Sequence, residues 1–303
     1  NYKLPIEKSI VKTYILKKSK FRTDLHPHMN ANLSPDCLIA LGIVHQIKYP
    51  LYYIKKINLK LTKKQEEKIY KQREKVEKQF ENCALTGKYL TRKIDDNTYI
   101  NFADLILNNK NAQYNIEKIR TSLAIMKDGQ AVFTNLEKCY IYRYVFAKGV
   151  AIEEKEKIKL KQELIEKIPE KDIKEIVFKM LEDKSKTSPY KSNTLRQDKF
   201  LWIAREYQKQ GIKYVEIADT DLSKNSQRAI KLLEEAHEIF PQTEKETGVK
   251  IRLLFAIRRI PLTIIKDQKT SSTYLKENIN LLKAVAKSPY VVGSDFIGEE
   301  IND

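Results

Sequence analysis

Two of the four histidines in this chain, His26 and His28, stand one residue apart in the segment TDLHPHMNAN (23–32). On a β-strand, residues i and i+2 point to the same side, so both imidazoles would enter one space while Pro27 faces away. Imidazole nitrogens suit zinc or a similar divalent ion, and a catalytic zinc needs at least three protein ligands and an open position for water. The pair therefore predicts part of a metal site. Two unrelated polar histidines at the start of a loop are the alternative.

The other candidate ligands are dispersed along the chain. His45 and His237 fall in segments with helical apolar periodicity, which predicts ordinary helix histidines. Cys37, Cys83 and Cys139 are odd in number, widely spaced and free of any CxxC pattern. Neither a disulfide framework nor a cysteine zinc site is therefore expected, and a reducing compartment fits best.

The elements that would position the histidine pair alternate between strands and helices. The segment FRTDLHPH (21–28) is predicted as a strand, and Ser34 followed by Pro35 as the start of a helix through CLIALGIVHQI. After residue 195, three apolar strands (KYVEIAD, KIRLLFAI and YVVGSDF) alternate with amphipathic helices. This rhythm predicts an α/β protein with a parallel sheet of four strands, either an open doubly wound sheet or half of an eight-stranded barrel. No GxGxxG or GxxxxGK[ST] motif occurs, so a nucleotide-binding open sheet lacks its usual support.

The middle of the chain is highly charged and its periodicity is helical. Long amphipathic stretches are predicted as helices at 61–83 and 153–168. We interpret this region as a helical insertion or cap. It divides the chain into a first βα unit with the histidine pair (1–49), the insertion (50–195) and βα units two to four (196–303).

The chain is strongly basic, with a formal net charge of +17 from 57 Lys and Arg against 40 Asp and Glu. Such an excess favours contact with polyanions or phosphorylated ligands. Much of it lies in mixed runs such as residues 155–175, where lysines and glutamates at i,i+4 spacing are typical of a solvated helix face. This interpretation is favoured over a nucleic-acid groove, which stays open, because aromatic residues are not interleaved with the charge. The sequence lacks long apolar runs and a signal-peptide apolar region, which predicts a soluble, cytoplasmic protein without membrane contact.

Four sequence blocks, each around a predicted strand, carry a family resemblance. HPHMNANLSPDCL, GIKYVEIADTD, GVKIRLLFAIRR and SPYVVGSDFIGEE follow in this order, and the last contains a DxxGxE pattern at Asp295, Gly298 and Glu300. Together they resemble the adenosine deaminase branch of the metal-dependent amidohydrolases over residues 21–49 and 195–301. The HxH motif alone is shared by many amidohydrolases. The resemblance implies the N-terminal half of a (β/α)8 barrel of the TIM type with a large helical insertion.

The resemblance also implies a zinc site. His26 and His28 would be two ligands of a catalytic Zn²⁺ at the carboxyl end of the first strand. Gly298 would offer its backbone N–H to a purine ring, an approach that a side chain would block. Asp295 would be a carboxylate beside the site, and a salt bridge with a neighbouring arginine is its alternative role.

Three further positions concern the substrate. Thr220 stands where the family commonly has a serine near the pocket, and Arg258 where it has an arginine after the third strand. Asn30 departs from the family, which has an aspartate there to hold a ribose hydroxyl. Because a neutral amide does not repel a phosphate as a carboxylate would, AMP or ATP is expected as a substrate beside adenosine. An ordinary turn residue is the alternative interpretation of Asn30.

The implied reaction is hydrolytic deamination of adenosine or adenine nucleotides to inosine forms by a zinc-activated water. The family's third zinc histidine, HxxE general acid, further histidine and zinc aspartate have no counterpart up to Asp303, so we expect these catalytic residues in a C-terminal half outside this chain. The insertion is similar to that of the RADAR anti-phage deaminases, which assemble into shells, and this predicts a homo-oligomer formed through the inserted helices. A catalytically silent assembly subunit and a basic nucleic-acid-binding protein are the alternative functions.

Overall fold

The chain folds as two compact units. The computed structural model describes residues 22–123, 126–127, 130–131, 136–258 and 271–298. The first unit joins the segment that ends at Asn32 to the segment that begins at Arg196, and the second unit spans Leu33–Leu195.

The described residues contain both strands and helices. In chain order the strands are β1 (Thr23–Asp24), β2 (Lys48–Pro50), β3 (Tyr99–Asn101), β4 (Met126–Lys127), β5 (Gln130–Ala131), β6 (Tyr214–Asp219), β7 (Lys250–Arg258) and β8 (Val291–Ile297). The α-helices are α1 (Pro35–His45), α2 (Leu51–Lys56), α3 (Lys63–Gln79), α4 (Gly87–Asn97), α5 (Phe102–Leu107), α6 (Ala112–Leu123), α7 (Leu136–Lys148), α8 (Gln162–Ile165), α9 (Lys171–Asp183), α10 (Leu195–Gln210), α11 (Asp221–Lys224), α12 (Ser226–Thr247) and α13 (Ser271–Val285).

The first unit is built on a four-stranded parallel sheet with the order β1-β6-β7-β8. The strands follow the order of the chain, and helices precede or separate the three longer strands. Parallel neighbours need such crossovers because a short hairpin cannot join them. The predicted α/β class and the predicted parallel sheet are confirmed.

The sheet is curved. Cα atoms of β6 and β8 approach within 8 Å of each other although β7 lies between them. In a flat sheet, two intervals of about 4.8 Å would hold those strands roughly 9.6 Å apart. The side chains of β6 and β8 therefore converge on one face.

The opposite face forms the apolar core of the first unit. Val215 and Ile217 of β6 and Leu253, Phe255 and Ile257 of β7 alternate along their strands, and each is at most 5% exposed. Helix α12 packs against β7 and contributes buried apolar side chains of its own. Apolar residues at every second strand position thus place the core between sheet and helix.

A smaller apolar cluster lies on the other side of the sheet. It consists of Ala218, Leu254 and Ala256, with Ile297 packed against it. Asp295 pairs in register with Ala256, so its side chain belongs to this same face. Small residues leave room here for polar groups at the carboxyl ends of the strands.

Helix α1 belongs to the second unit. Ser34 Oγ accepts a hydrogen bond from the Cys37 backbone N at 3.2 Å, and a proline begins the helix, as predicted. All residues from Cys37 to Ile43 are buried, and α1 packs against α5, α6, α7 and α9. A helix that is apolar on every side needs cover on every side. The boundary of the helical unit therefore lies at Leu33, whereas the sequence assigned residues 1–49 to the first βα unit.

The segment 153–168 does not form the long helix that was predicted. It contains a 3₁₀ turn at Glu154–Glu156 and the single-turn helix α8. Between them, the Gln46 side chain donates to Ile158 O and accepts from Ile158 N, both at 2.8 Å. Ile158 and Leu160 are half-buried, and the lysines on either side of each are exposed. This alternation at every second residue is typical of extended backbone, whereas a helix buries residues three or four positions apart. The prediction was wrong because the Lys and Glu spacing suggested a helix, while the apolar alternation that indicates extended backbone covers only a few residues.

Some predicted features lie outside the described residues. They include Phe21 of the first predicted strand, Glu300 of the DxxGxE pattern and the side chain of Cys139. Cys37 is buried and Cys83 partly buried, and neither is in a disulfide among the described residues. In the described part of the chain, no helix is both long and apolar enough to span a membrane.

Candidate metal centre

The histidine pair lies directly beyond β1, beside the carboxyl end of β6. Strand β1 has two residues, fewer than the predicted strand over 21–28, but His28 forms an isolated parallel bridge with Ala218. The Ala218 backbone N–H donates to Pro27 O at 2.9 Å. The segment is therefore held to the sheet on both sides of the proline. The ring centroids of His26 and His28 are 5.3 Å apart, with 44° between the ring planes.

Asp295 of β8 completes a contact cluster with this pair. His26 Nε2 donates to Asp295 Oδ2 at 2.6 Å, a charge-assisted bond because the acceptor is a carboxylate. The Asp295 side chain is 18% exposed and the His26 side chain 60% exposed. The carboxylate thus has a histidine partner, where the sequence had left an arginine as the alternative.

The surroundings of His28 favour its neutral form. Burial lowers the pKa of His28, and the neighbouring His26 lowers it further, while Asp295 acts in the opposite direction. Neutral imidazole is the form that binds a metal ion. The environment of His28 is therefore compatible with the role of a ligand.

The two imidazoles fit a tetrahedral metal ion in type and in spacing. Rings bound to one zinc by bonds of about 2.1 Å would have centroids roughly 5 Å apart, close to the observed 5.3 Å. Since Nε2 of His26 is bonded to Asp295, Nδ1 would be the nitrogen available to a metal ion, as in sites where a carboxylate orients a ligating histidine. Within the described residues, no group of three or more His, Cys, Asp and Glu is arranged to hold a metal ion. A zinc here would need a further ligand from outside those residues.

Asn30 lies two residues after the pair, in a 3₁₀ turn over Met29–Ala31. The Ala31 backbone N donates to His28 O at 3.0 Å, and the buried Met29 anchors the turn. Asn30 itself is exposed. The turn therefore fixes the backbone of Asn30 close to His28 without burying its side chain.

The remaining predicted positions follow the other strands. Thr220 comes directly after β6, and its carbonyl accepts from Ser223 Oγ at 3.0 Å, while Arg258 is the last residue of β7. Gly298 follows β8 with φ of 107°, a conformation that favours glycine. Thr220, Arg258 and Gly298 are all exposed. Because the carboxyl ends of parallel strands share one edge, they lie at the edge that carries His28.

Tyr207 of α10 is a positioning residue that sequence reasoning missed. Its hydroxyl donates to Asp24 Oδ2 at 2.7 Å and lies 3.3 Å from Asn32 Oδ1. Burial and, after it, the bond to Asp24 raise the pKa of Tyr207. The residue thereby fastens α10 to both ends of the histidine segment. A buried tyrosine hydroxyl needs a polar partner. Asp24 could not be predicted as that partner from a local sequence pattern, because it lies 183 positions away.

Asp219 is a buried carboxylate at the end of β6 that was also overlooked. Its Oδ1 accepts from the Asp221 backbone N at 2.7 Å, and burial raises the pKa of Asp219. It alternates in phase with Val215 and Ile217, so it points to the core face of the sheet. Its bond closes the turn into α11. The signal was a carboxylate at the end of the predicted strand KYVEIAD.

The two remaining histidines lie on helices. His45 is the last residue of α1. His237 lies on α12, where its ring packs edge-on against Tyr290 at 4.7 Å and its Nε2 is 3.3 Å from Ser288 Oγ. Packing and a hydroxyl partner account for His237.

No protein-family model matches the chain, and comparisons with curated proteins and with solved structures found no match. Known proteins therefore add no family assignment to this site.

Proposed function

We propose that this chain contains the first four βα units of a (β/α)8 metal-dependent hydrolase that deaminates adenosine or adenine nucleotides. The observation that carries the proposal is that His26 contacts both His28 and Asp295 at the carboxyl ends of the first and last strands of the sheet. Barrel enzymes place their chemistry at this end of the strands.

The shape of the sheet supports a barrel over an open doubly wound sheet. The strand order follows the chain without a reversal, so the described sheet has no switch point of the kind at which open sheets bind ligands. The curvature directs the cluster of Ala218, Leu254 and Ala256 toward the concave side. Further strands continuing the same curvature would enclose that cluster as a barrel interior.

In the proposed site each residue has a separate task. His26 and His28 hold the metal, and Asp295 orients the His26 ring through the bond to Nε2. A bound zinc would lower the pKa of a water molecule so that hydroxide is available near neutral pH. Because Gly298 carries no side chain, it would permit the close approach of a planar base to the backbone at the end of β8.

The substrate preference depends on Asn30 and on charge. Asn30 is exposed beside His28 and adds no negative charge, while Arg258 supplies a cation at the same edge. A phosphorylated nucleoside is therefore favoured more here than at a site with a carboxylate in place of Asn30. The reaction also requires a proton-transfer glutamate and further zinc ligands, which have no counterpart of the implied pattern in the 303 residues.

The direct test is ammonia release by the complete protein with adenosine, AMP and ATP, before and after the metal is removed by a chelator. We expect turnover that disappears with the metal and returns when zinc is added back. Full zinc occupancy without ammonia from any of the three compounds would favour a silent assembly subunit. Binding of RNA or DNA with a steep salt dependence, without deamination, would favour the nucleic-acid-binding alternative.

A further inference from the structure

The second unit contains a cavity of about 450 Å³. It lies among the ends of β2 and β3, helix α4 and the last turns of α7. Its size falls in the range of roughly 300–1,000 Å³ that small-molecule sites occupy. The cavity lies wholly within the helical unit, so it is separate from the candidate metal centre.

The lining of this cavity is strongly basic. It includes Lys48, Arg92, Lys93 and Lys148, against the single carboxylate of Asp96. Arg92 Nε donates to Asp96 Oδ2 at 2.8 Å, which neutralises that carboxylate. Among the described residues, no carboxylate forms an ion pair with the three lysines. Glu153, which does not line the cavity, interacts electrostatically with Lys48. The cations of the lining still outnumber its carboxylate, so the cavity carries a net positive charge that attracts anions.

Tyrosine rings supply the apolar part of the lining. The Lys48 ammonium lies over the Tyr99 ring, 4.4 Å from its centroid, in a cation–π contact. Tyr53 is buried in the wall, whereas Tyr144 is 52% exposed. The described residues offer no ring partner to Tyr144. An exposed tyrosine face beside lysines is a surface on which a planar base can stack.

We propose that this cavity binds a nucleoside polyphosphate, with the phosphates at the lysines and Arg92 and the base against Tyr144. Phosphate oxygens match a cluster of ammonium and guanidinium groups. Stacking tolerates any base, so ATP, GTP and CTP bind with similar strength. The concave shape and limited volume suit a single nucleotide more than a continuous strand, which would need a groove along its backbone.

The test is calorimetric titration of the complete protein with ATP, GTP, CTP, inorganic triphosphate and adenosine. The three nucleotides bind, and adenosine and inorganic triphosphate bind at least about tenfold more weakly. Lys148→Gln weakens nucleotide binding about tenfold, since one charge-assisted contact is lost, whereas Lys148→Arg retains it. Tyr144→Ala weakens nucleotides but not inorganic triphosphate, and Tyr144→Phe keeps the stacking face.

Lys186→Gln is the matched control, because it removes an exposed lysine of the same unit that does not line the cavity. Thermal melts of each variant show that folding is intact. Repeating the titration in His28→Ala separates this cavity from the metal centre, because cavity binding persists there whether or not the deaminase proposal holds. Photolabelling with azido-ATP marks α4 or α7. Unchanged affinity in Lys148→Gln, equal binding of inorganic triphosphate, no label in α4 or α7, or binding restricted to single-stranded RNA would each overturn the proposal.

Discussion

His26 Nε2 lies 2.6 Å from Asp295 Oδ2, although 269 positions separate the two residues in the chain. They belong to opposite edges of the described sheet, where a flat arrangement of three intervals would place the strands roughly 14 Å apart. The contact is made because the sheet curves and both side chains point into its concave side. The bond between His26 and Asp295 therefore depends on the curvature of the sheet, and the candidate site depends on it as well.

The first prediction concerns His28. In the complete protein, His28→Ala removes one metal ligand, so we expect lost zinc and a barrier to deamination raised by about 4 kcal/mol, near a thousandfold in rate. Folding changes little, because the residue lies at the strand ends and not in the core. His237→Ala is the control, since that ring packs on Tyr290 and holds no metal in the proposal. Full zinc occupancy with normal turnover in His28→Ala would refute the hydrolase assignment.

The second prediction concerns Asn30. We expect the complete protein to turn over AMP or ATP with a kcat/KM at least comparable to that for adenosine. Asn30→Asp places a carboxylate beside His28, which repels a phosphate and shifts the preference toward adenosine. Steady-state rates with each substrate measure the ratio of the kcat/KM values. An equal loss on all substrates would show that Asn30 acts only through the turn.

Much of the first unit could be predicted from the sequence because its signals are local. The strands ending at Asp219, Arg258 and Ile297 are apolar runs bounded by helices, so their type and parallel order could be inferred. Curvature could not be inferred, because it depends on packing between strands. The HxH spacing indicated the pair, but the bond between His26 and Asp295 needed the folded sheet.

The second unit shows why the remaining elements were missed. The extended backbone at Ile158 is stabilised by the side chain of Gln46, a partner 112 positions away that no window of sequence contains. The basic cavity likewise joins Lys48, Arg92 and Lys148 from separate elements. In the sequence these lysines and arginines could not be distinguished from residues of a solvated face.

The third prediction concerns packing around Gly42 of α1. A Cβ added there would lie 2.6 Å from Phe102 Cδ1 and 3.0 Å from Phe146 Cε1. Both rings are fully buried and meet edge-on at 5.3 Å, so neither moves freely. Overpacking costs about 1–3 kcal/mol, and the gain in helix propensity from Gly to Ala offsets about 1 kcal/mol. We expect Gly42→Ala to lower the free energy of unfolding in urea by up to about 2 kcal/mol.

The control for Gly42→Ala is the double variant with Phe102→Leu. The smaller side chain makes room for the new methyl group, so the combined loss should be smaller than the sum of the two single losses. Additive losses would mean that no clash exists at this contact.

The last prediction is the pH dependence of stability that Tyr207 confers. Its buried phenol donates to Asp24, and burial followed by this bond raises the pKa of Tyr207 in the folded protein. A raised folded-state pKa gives a contribution that is complete below the unfolded pKa of about 10 and is lost as the pH rises from there toward the folded pKa. At neutral pH, Tyr207→Phe should therefore lower the free energy of unfolding by about 1–2 kcal/mol. Above about pH 10 the difference in the free energy of unfolding between the two proteins should shrink, because the contribution of the Tyr207 hydroxyl is lost there. The other tyrosines titrate equally in both proteins and do not affect the difference.

Urea unfolding at a series of pH values measures this difference. The control is Tyr70→Phe, which changes a tyrosine that is 66% exposed and should have a small effect. A difference that stays constant across the series would show that Tyr207 stabilises the histidine segment by packing and not by its hydroxyl.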